Sequence, residues 1–171
     1  MKKKGMLVGV ALVLMAATLG ICAQVFYNRY GFRPGSEPYG FRGMKWDTNI
    51  GIYKDLEPVE ISGMSAFYKK KGDPLWIGKA QVEEIIYGAW DGRFYLVQVK
   101  TIGSTNYKNL KDYCFATYGE VDRLGTGEQQ YYIWNGIITR MILEYNEISK
   151  TGEWKFFSKK LQNRRFMEQE E

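Results

Sequence analysis

The sequence predicts an α+β domain: an antiparallel sheet of about six strands with two helices on one face, arranged as two α-β-β-β halves. Three observations predict it. Val82–Trp90 and Arg93–Ile102 are rich in β-branched and aromatic residues and are separated only by Asp91-Gly92, a pair that tolerates φ > 0 at both centres of a two-residue hairpin turn. Gln129–Trp134 and Ile137–Tyr145 meet in the same way at Asn135-Gly136. Between the hairpins, Tyr107, Leu110, Cys114 and Tyr118 recur at spacings of three and four behind Ser104-Thr105-Asn106, which marks a helix with its N-cap and with Gly119 as its C′ residue. Helix and three strands, repeated once, suggest one antiparallel sheet covered on one side.

In chain order, an export segment comes first. Lys2-Lys3-Lys4 precede a stretch from Met6 to Ala23 that holds no charge; this is the plan of a secretory signal peptide, and Ile21-Cys22-Ala23 offers a cut before Gln24. One alternative is an uncleaved inner-membrane anchor over residues 6–23, about as short as a span can be. The other is a lipoprotein lipidated at Cys22, although Ile21 stands where a small residue is expected. Membrane contact is expected only through this segment.

Residues 24–40 contain Pro34, Gly35, Pro38 and Gly40 and read as an irregular lead-in. The domain follows over 41–160. Asp47 or Thr48 caps a short helix reaching about Leu56, and Pro58 ends it. Ile61–Lys70 reads as a strand and Leu75–Lys79 as a short extended piece, around a Gly72-Asp73-Pro74 turn. A two-residue loop at Asp91-Gly92 pairs Ala89 with Phe94, Tyr87 with Leu96 and Ile85 with Gln98, so Ala89, Phe94, Tyr87 and Leu96 share the core face. Met141, Leu143 and Tyr145 alternate with Arg140, Ile142 and Glu144, as in a strand with one buried face. A looser turn around Lys150-Thr151-Gly152 leads to Trp154–Ser158, and the charged tail, 161–171, reads as a frayed amphipathic end.

Removing 23 of the 171 residues leaves 148, one domain's worth. The removed segment takes three of the 24 Lys and Arg and none of the 19 Asp and Glu, so the net charge falls from +5 to +2. Nothing in that balance calls for a nucleic-acid partner. Cleavage also leaves Cys114 as a lone cysteine, which excludes an internal disulfide framework. The chain has no His. Ser-His-Asp and Cys-His hydrolases and imidazole zinc sites are therefore excluded, and no metal or cofactor is expected. Cys114 lies on the apolar stripe of its helix and reads as core rather than nucleophile.

Carboxylate chemistry survives this inventory. Glu83 and Glu84 are adjacent on a strand, so they point to opposite faces; Asp91 belongs to a turn, and Asp112, Glu120 and Asp122 fall on an exposed helix side and its exit. Lys69-Lys70-Lys71 reads as a solvated turn. The aromatic set offers more: Trp46, Trp76, Trp90, Trp134 and Trp154 accompany 13 Tyr. Trp90 and Arg93 flank one hairpin turn and Trp134 precedes the other, which makes these three the candidate binding residues. The same rings also suit a small β-rich core.

Phe41-Arg42-Gly43-Met44-Lys45-Trp46-Asp47-Thr48 resembles the F-x-G-(I/M)-x-W-x-T opening of uncharacterised small exported bacterial proteins. Ile85-Ile86-Tyr87, Phe94, Val97, Asn106, Leu110 and Tyr118-Gly119 are similar in order to their bodies, over about 41–160. The resemblance brings no catalytic residues. A looser likeness in fold is to the helix-plus-sheet modules of outer-membrane assembly lipoproteins and β-lactamase inhibitors. The expectation is thus a periplasmic or secreted, non-catalytic binding or structural module of the cell envelope, with an envelope protein or glycan as partner. The alternatives are an inhibitor of a secreted hydrolase and a carboxylate-dependent glycan hydrolase.

Overall fold

The computed structural model describes residues 31–169. The expectations for the export segment, for Cys22 and for residues 24–30 lie outside the described residues. A small hairpin of β1 (Gly40–Phe41) and β2 (Met44–Lys45) opens the fold, and a single 3₁₀ turn follows at Ile50–Ile52. Then come β3 (Leu56–Ser62), β4 (Ser65–Lys70), the short pair β5 (Trp76–Ile77) and β6 (Ala80–Gln81), β7 (Glu84–Trp90) and β8 (Arg93–Ile102). Helix α1 (Ser104–Tyr118) leads to β9 (Arg123–Leu124), β10 (Gln129–Asn135), β11 (Thr139–Asn146) and β12 (Thr151–Ser158), and α2 (Lys159–Gln169) follows directly.

The main sheet is antiparallel and has eight strands in the order β3-β4-β7-β8-β12-β11-β10-β9. It is two four-stranded meanders joined through β8 and β12, and each meander is followed by a helix rather than preceded by one. The sequence places about six strands because Ser62-Gly63-Met64-Ser65 divides the stretch read as one strand, and β9 has only two residues. The helix expected to reach Leu56 shrinks to one turn. Asn49 caps it by accepting a hydrogen bond from the Gly51 amide at 2.9 Å, but Pro58 already lies in β3.

Asp91 and Gly92 have φ of 49° and 68°, and Trp90 pairs with Arg93, as the two-residue turn requires. Beyond it the register slips. Ala89 pairs with Phe94, but Gly88 pairs with Leu96 and Tyr87 with Val97, so Tyr95 is an extra residue on β8. Gly88 accommodates this bulge, since a Cβ there would lie 2.9 Å from the Leu96 Cβ. Leu96 therefore leaves the core face that the sequence assigns to it.

The main core lies on one side of the sheet. Tyr87, Phe94, Val97, Val99, Trp134, Met141, Leu143, Trp154 and Phe156 pack there beneath Tyr107, Leu110 and Cys114 of α1. Phe32, Met44 and Trp46 of the N-terminal strap close the same side. The motif residues act structurally here: Phe41 rests 5.3 Å from the Phe156 ring, and Trp46 sits 4.8 Å from Phe94 and donates its Nε1–H to Thr139 at 2.8 Å. Leu161 of α2 packs on the other side, with Trp90, Tyr95 and Leu96. The two helices thus occupy opposite faces, not one, and residues 161–169 form a docked helix rather than a frayed end.

Candidate functional site

The second sheet face is covered by α2 at one end only. At the other end, cross-strand neighbours set out a row of charges. Glu84 lies opposite Lys100, Lys100 opposite Glu153, Glu153 opposite Glu144, and Glu144 opposite Tyr131. Lys69 of β4 extends the row by an ion pair to Glu84 at 2.6 Å. Lys155, one residue pair along, bridges Glu153 at 2.7 Å and also Glu144. Partial burial disfavours charge on Lys155, but its bonds to the two carboxylates outweigh that and raise its pKa. These side chains are half-exposed, so each pair contributes only about 0.2–1 kcal/mol to stability.

Three depressions follow this row. The first, about 230 Å³, opens between β4 and β7 and is lined by Lys69, Lys70, Asp73, Leu75, Glu83 and Glu84. Pairing between those strands ends at Tyr68 and Tyr87, and their divergence makes the opening. The second, about 100 Å³, includes Glu84, Gln98, Lys100 and Glu153. The third, about 180 Å³, includes Tyr131, Glu144, Asn146, Ser149 and Glu153. Glu84 belongs to the first two and Glu153 to the last two, so the three lie end to end as one row, a trough interrupted by these two side chains, across β4, β7, β8, β12, β11 and β10. Six strands spaced ~4.8 Å apart give it a length of ~24 Å, about seven residues of extended polypeptide.

At the head of the trough, Asp73 is committed to structure. Its Oδ1 accepts a bond from Arg42 and its Oδ2 one from the Tyr87 hydroxyl, each at 2.6 Å. Burial pushes the Tyr87 phenol up, and the bond to Asp73 adds to it. Arg42 also donates to the carbonyls of Pro74 and Trp76, tying the β1–β2 hairpin to the loop before β5. Glu83 precedes β7 rather than belonging to it, so Glu83 and Glu84 line the same depression despite being adjacent. With Asp73 doubly bonded and Glu84 paired to Lys69, that trio is charged lining.

The sequence-nominated residues lie elsewhere. Trp90 and Trp134 are 1% and 0% exposed, so neither presents its ring at a hairpin tip. Trp134 donates its Nε1–H to the Gly119 carbonyl at 2.7 Å, and Trp90 is covered by α2. Arg93 donates to the Asp47 carbonyl at 2.8 Å and supports the turn. The structure does not bring these three together. Cys114 is fully buried, and burial raises its thiol pKa well above the ordinary value. Among the described residues no cluster of three or more His, Cys, Asp or Glu is placed to hold a metal ion, and no helix is long and apolar enough to cross a membrane.

Sequence reading did not assemble the trough. The available signal was the polar member of each alternating strand, Glu84, Lys100, Glu144 and Glu153, but only strand order shows that these align. No protein-family model, curated protein or solved structure matches the chain.

Proposed function

We propose that the chain is a non-catalytic binding module of the bacterial cell envelope whose open sheet face takes an extended polypeptide of a partner protein. The observation that carries this reading is the row of three adjoining depressions lined by Lys69, Glu84, Lys100, Glu153 and Glu144 with Tyr131 at its end. Half-exposed charges of both signs, ending in the adjacent carboxylates of Glu153 and Glu144, offer little affinity as single pairs, but they select the order of charges on a chain laid across them. A neutral glycan would find there only Tyr131 and the buried Tyr145 as rings, and few apolar platforms. The envelope compartment rests on the expected export function of residues 1–23.

The test is a peptide array of seven- to nine-residue sequences probed with the purified wild-type chain and with the Lys100→Glu/Glu153→Lys double variant. This exchange keeps the cross-strand pair while reversing its polarity. Wild type is expected to bind a subset of peptides whose order of charges complements the row from Lys69 to Glu144, and the exchanged variant to select a subset with the central charges reversed. Identical selections, or no binding by either protein, would defeat the reading.

A further inference from the structure

Four residues along β8 from Lys100, ~13 Å away, the same sheet face carries a different surface. Trp90, Tyr95 and Leu96 form a separate apolar cluster, with Phe67 and Phe157 packed against it. What covers it is α2, and α2 does so with few apolar atoms: Leu161 is its only buried residue among those described. At its start Lys159 is fixed by its backbone amide to the Ile138 carbonyl and by its Nζ to the Gly136 carbonyl, each at 2.8 Å, and the attachments beyond it are cationic. Lys160 pairs with Asp47 at 2.5 Å, and Arg164 lies 3.6 Å from Asp91 with its guanidinium 5.3 Å from the Trp90 ring centroid. Arg165 donates to the Tyr95 hydroxyl at 2.7 Å. On its outer side α2 exposes Phe166 and Met167. Beyond Lys159 and the one buried leucine, the hold of α2 on this surface runs through charged contacts that salt screens.

We infer that the Trp90–Tyr95–Leu96 cluster is a helix-docking surface, that α2 is its reversibly seated resident, and that its partner in trans is an amphipathic helix with the same signature. That signature is an aliphatic residue followed at +3 and +4 by arginines, as Leu161, Arg164 and Arg165 stand here on one side of α2. The resident competes by being tethered: β12 ends at Ser158 and α2 begins at Lys159, so its local concentration is high and an outside helix gains access only when α2 lifts. This inference does not depend on the trough, and its readouts do not involve a trough ligand.

Hydrogen exchange on the full chain gives the first measurement. The α2 amides are expected to exchange at least ~10-fold faster than those of β12, and the ratio to grow between about 0.05 and 0.5 M NaCl. A labelled peptide of residues 159–171 is then titrated against wild type and the Leu161→Asp chain. Binding to the variant at least ~10-fold tighter than to wild type is expected, because the resident no longer competes. Equal protection of α2 and β12 at both salt concentrations overturns the proposal, as does a folded Leu161→Asp chain that does not bind the peptide. Should that variant fail to fold, Asp47→Asn/Asp91→Asn replaces it. Loss of two surface ion pairs is expected to speed α2 exchange roughly 3- to 30-fold while β12 is unchanged, and unchanged α2 exchange overturns the proposal.

Discussion

Glu37 offers the sharpest test of how the strap is held. Its carboxylate accepts three consecutive backbone amides in the β10–β11 loop: Ile137 at 3.1 Å, Ile138 at 2.6 Å and Thr139 at 2.7 Å. The last two are partly buried, whereas the exposed Ile137 amide can turn to water. Glu37→Ala therefore leaves two shielded donors unsatisfied at about 1–3 kcal/mol each, or roughly 2–4 kcal/mol together after partial rehydration. In a domain of this size that lowers Tm by roughly 6–16 °C. Glu37→Gln keeps one acceptor oxygen and should lose about half as much. Gly136 enters the same account, since a Cβ there would lie 2.1 Å from Glu37 Oε1. Gly136→Ala must expel the carboxylate, so Gly136→Ala/Glu37→Ala should cost little more than either single change. Urea denaturation of the four proteins reads the cycle. Additive losses, or an alanine variant within ~0.5 kcal/mol of wild type, would refute the reasoning.

The remaining expectations are briefer. Trp134→Ala and Trp90→Ala should each destabilise by about 3–5 kcal/mol in urea melts, because both indoles are core and not surface; near-wild-type midpoints would return them to the hairpin tips. The phenol pKa values of Tyr87, Tyr95, Tyr107 and Tyr118 are all raised, each mainly by burial. Their stabilising effect is fully present below the unfolded phenol pKa near 10, and it is lost as pH rises from there toward the folded values. Stability should fall by up to roughly 5 kcal/mol per pH unit above about pH 10. Urea midpoints measured from pH 8 to 11.5 check this, and a flat profile would contradict it. Deleting Tyr95 closes the bulge and leaves Phe94, Val97 and Val99 on the core face, so the variant should still fold cooperatively in urea but lose about 3–5 kcal/mol of buried aromatic packing, whereas Tyr95→Phe, which loses only the Arg165 hydrogen bond, should melt within about 2 kcal/mol of wild type.

The two glycine-containing turns show what was legible. Asp91-Gly92 is a local matter: both residues have positive φ and the turn forms as the dipeptide demands. Asn135-Gly136 carries the same kind of turn signal in sequence, but neither residue is among those with positive φ. Gly136 is needed because Glu37, 99 positions earlier, brings a carboxylate against it, and no local pattern reports that. The edge strand β3 was illegible for a related reason. Exposed along almost its whole length, it lacks the alternation that marks a half-buried strand. The Trp residues were placed correctly at strand ends, but position along a strand does not say what covers the ring. Trp134 is covered by α1 and the Gly119 carbonyl, and Trp90 by a helix whose residues carry almost no apolar periodicity.

The bulge at Tyr95 connects these observations, because side chains alternate strictly and one extra residue exchanges the faces of everything after it. With Tyr95 inserted, Val97, Val99 and Thr101 point into the main core while Leu96, Gln98 and Lys100 point to the other face. If the same residues, Tyr95 included, ran on from Phe94 in unbroken alternation with no bulge, Gln98 and Lys100 would lie under α1, and the buried valines would face water. That arrangement would desolvate a charge and an amide with no partners, a cost larger than a domain of this size can absorb. The same insertion turns Tyr95 and Leu96 toward Trp90 and so creates the apolar surface on which α2 sits. The trough at one end of the open face and the helix-covered cluster at the other therefore both depend on a single bulge, accommodated by the missing side chain at Gly88.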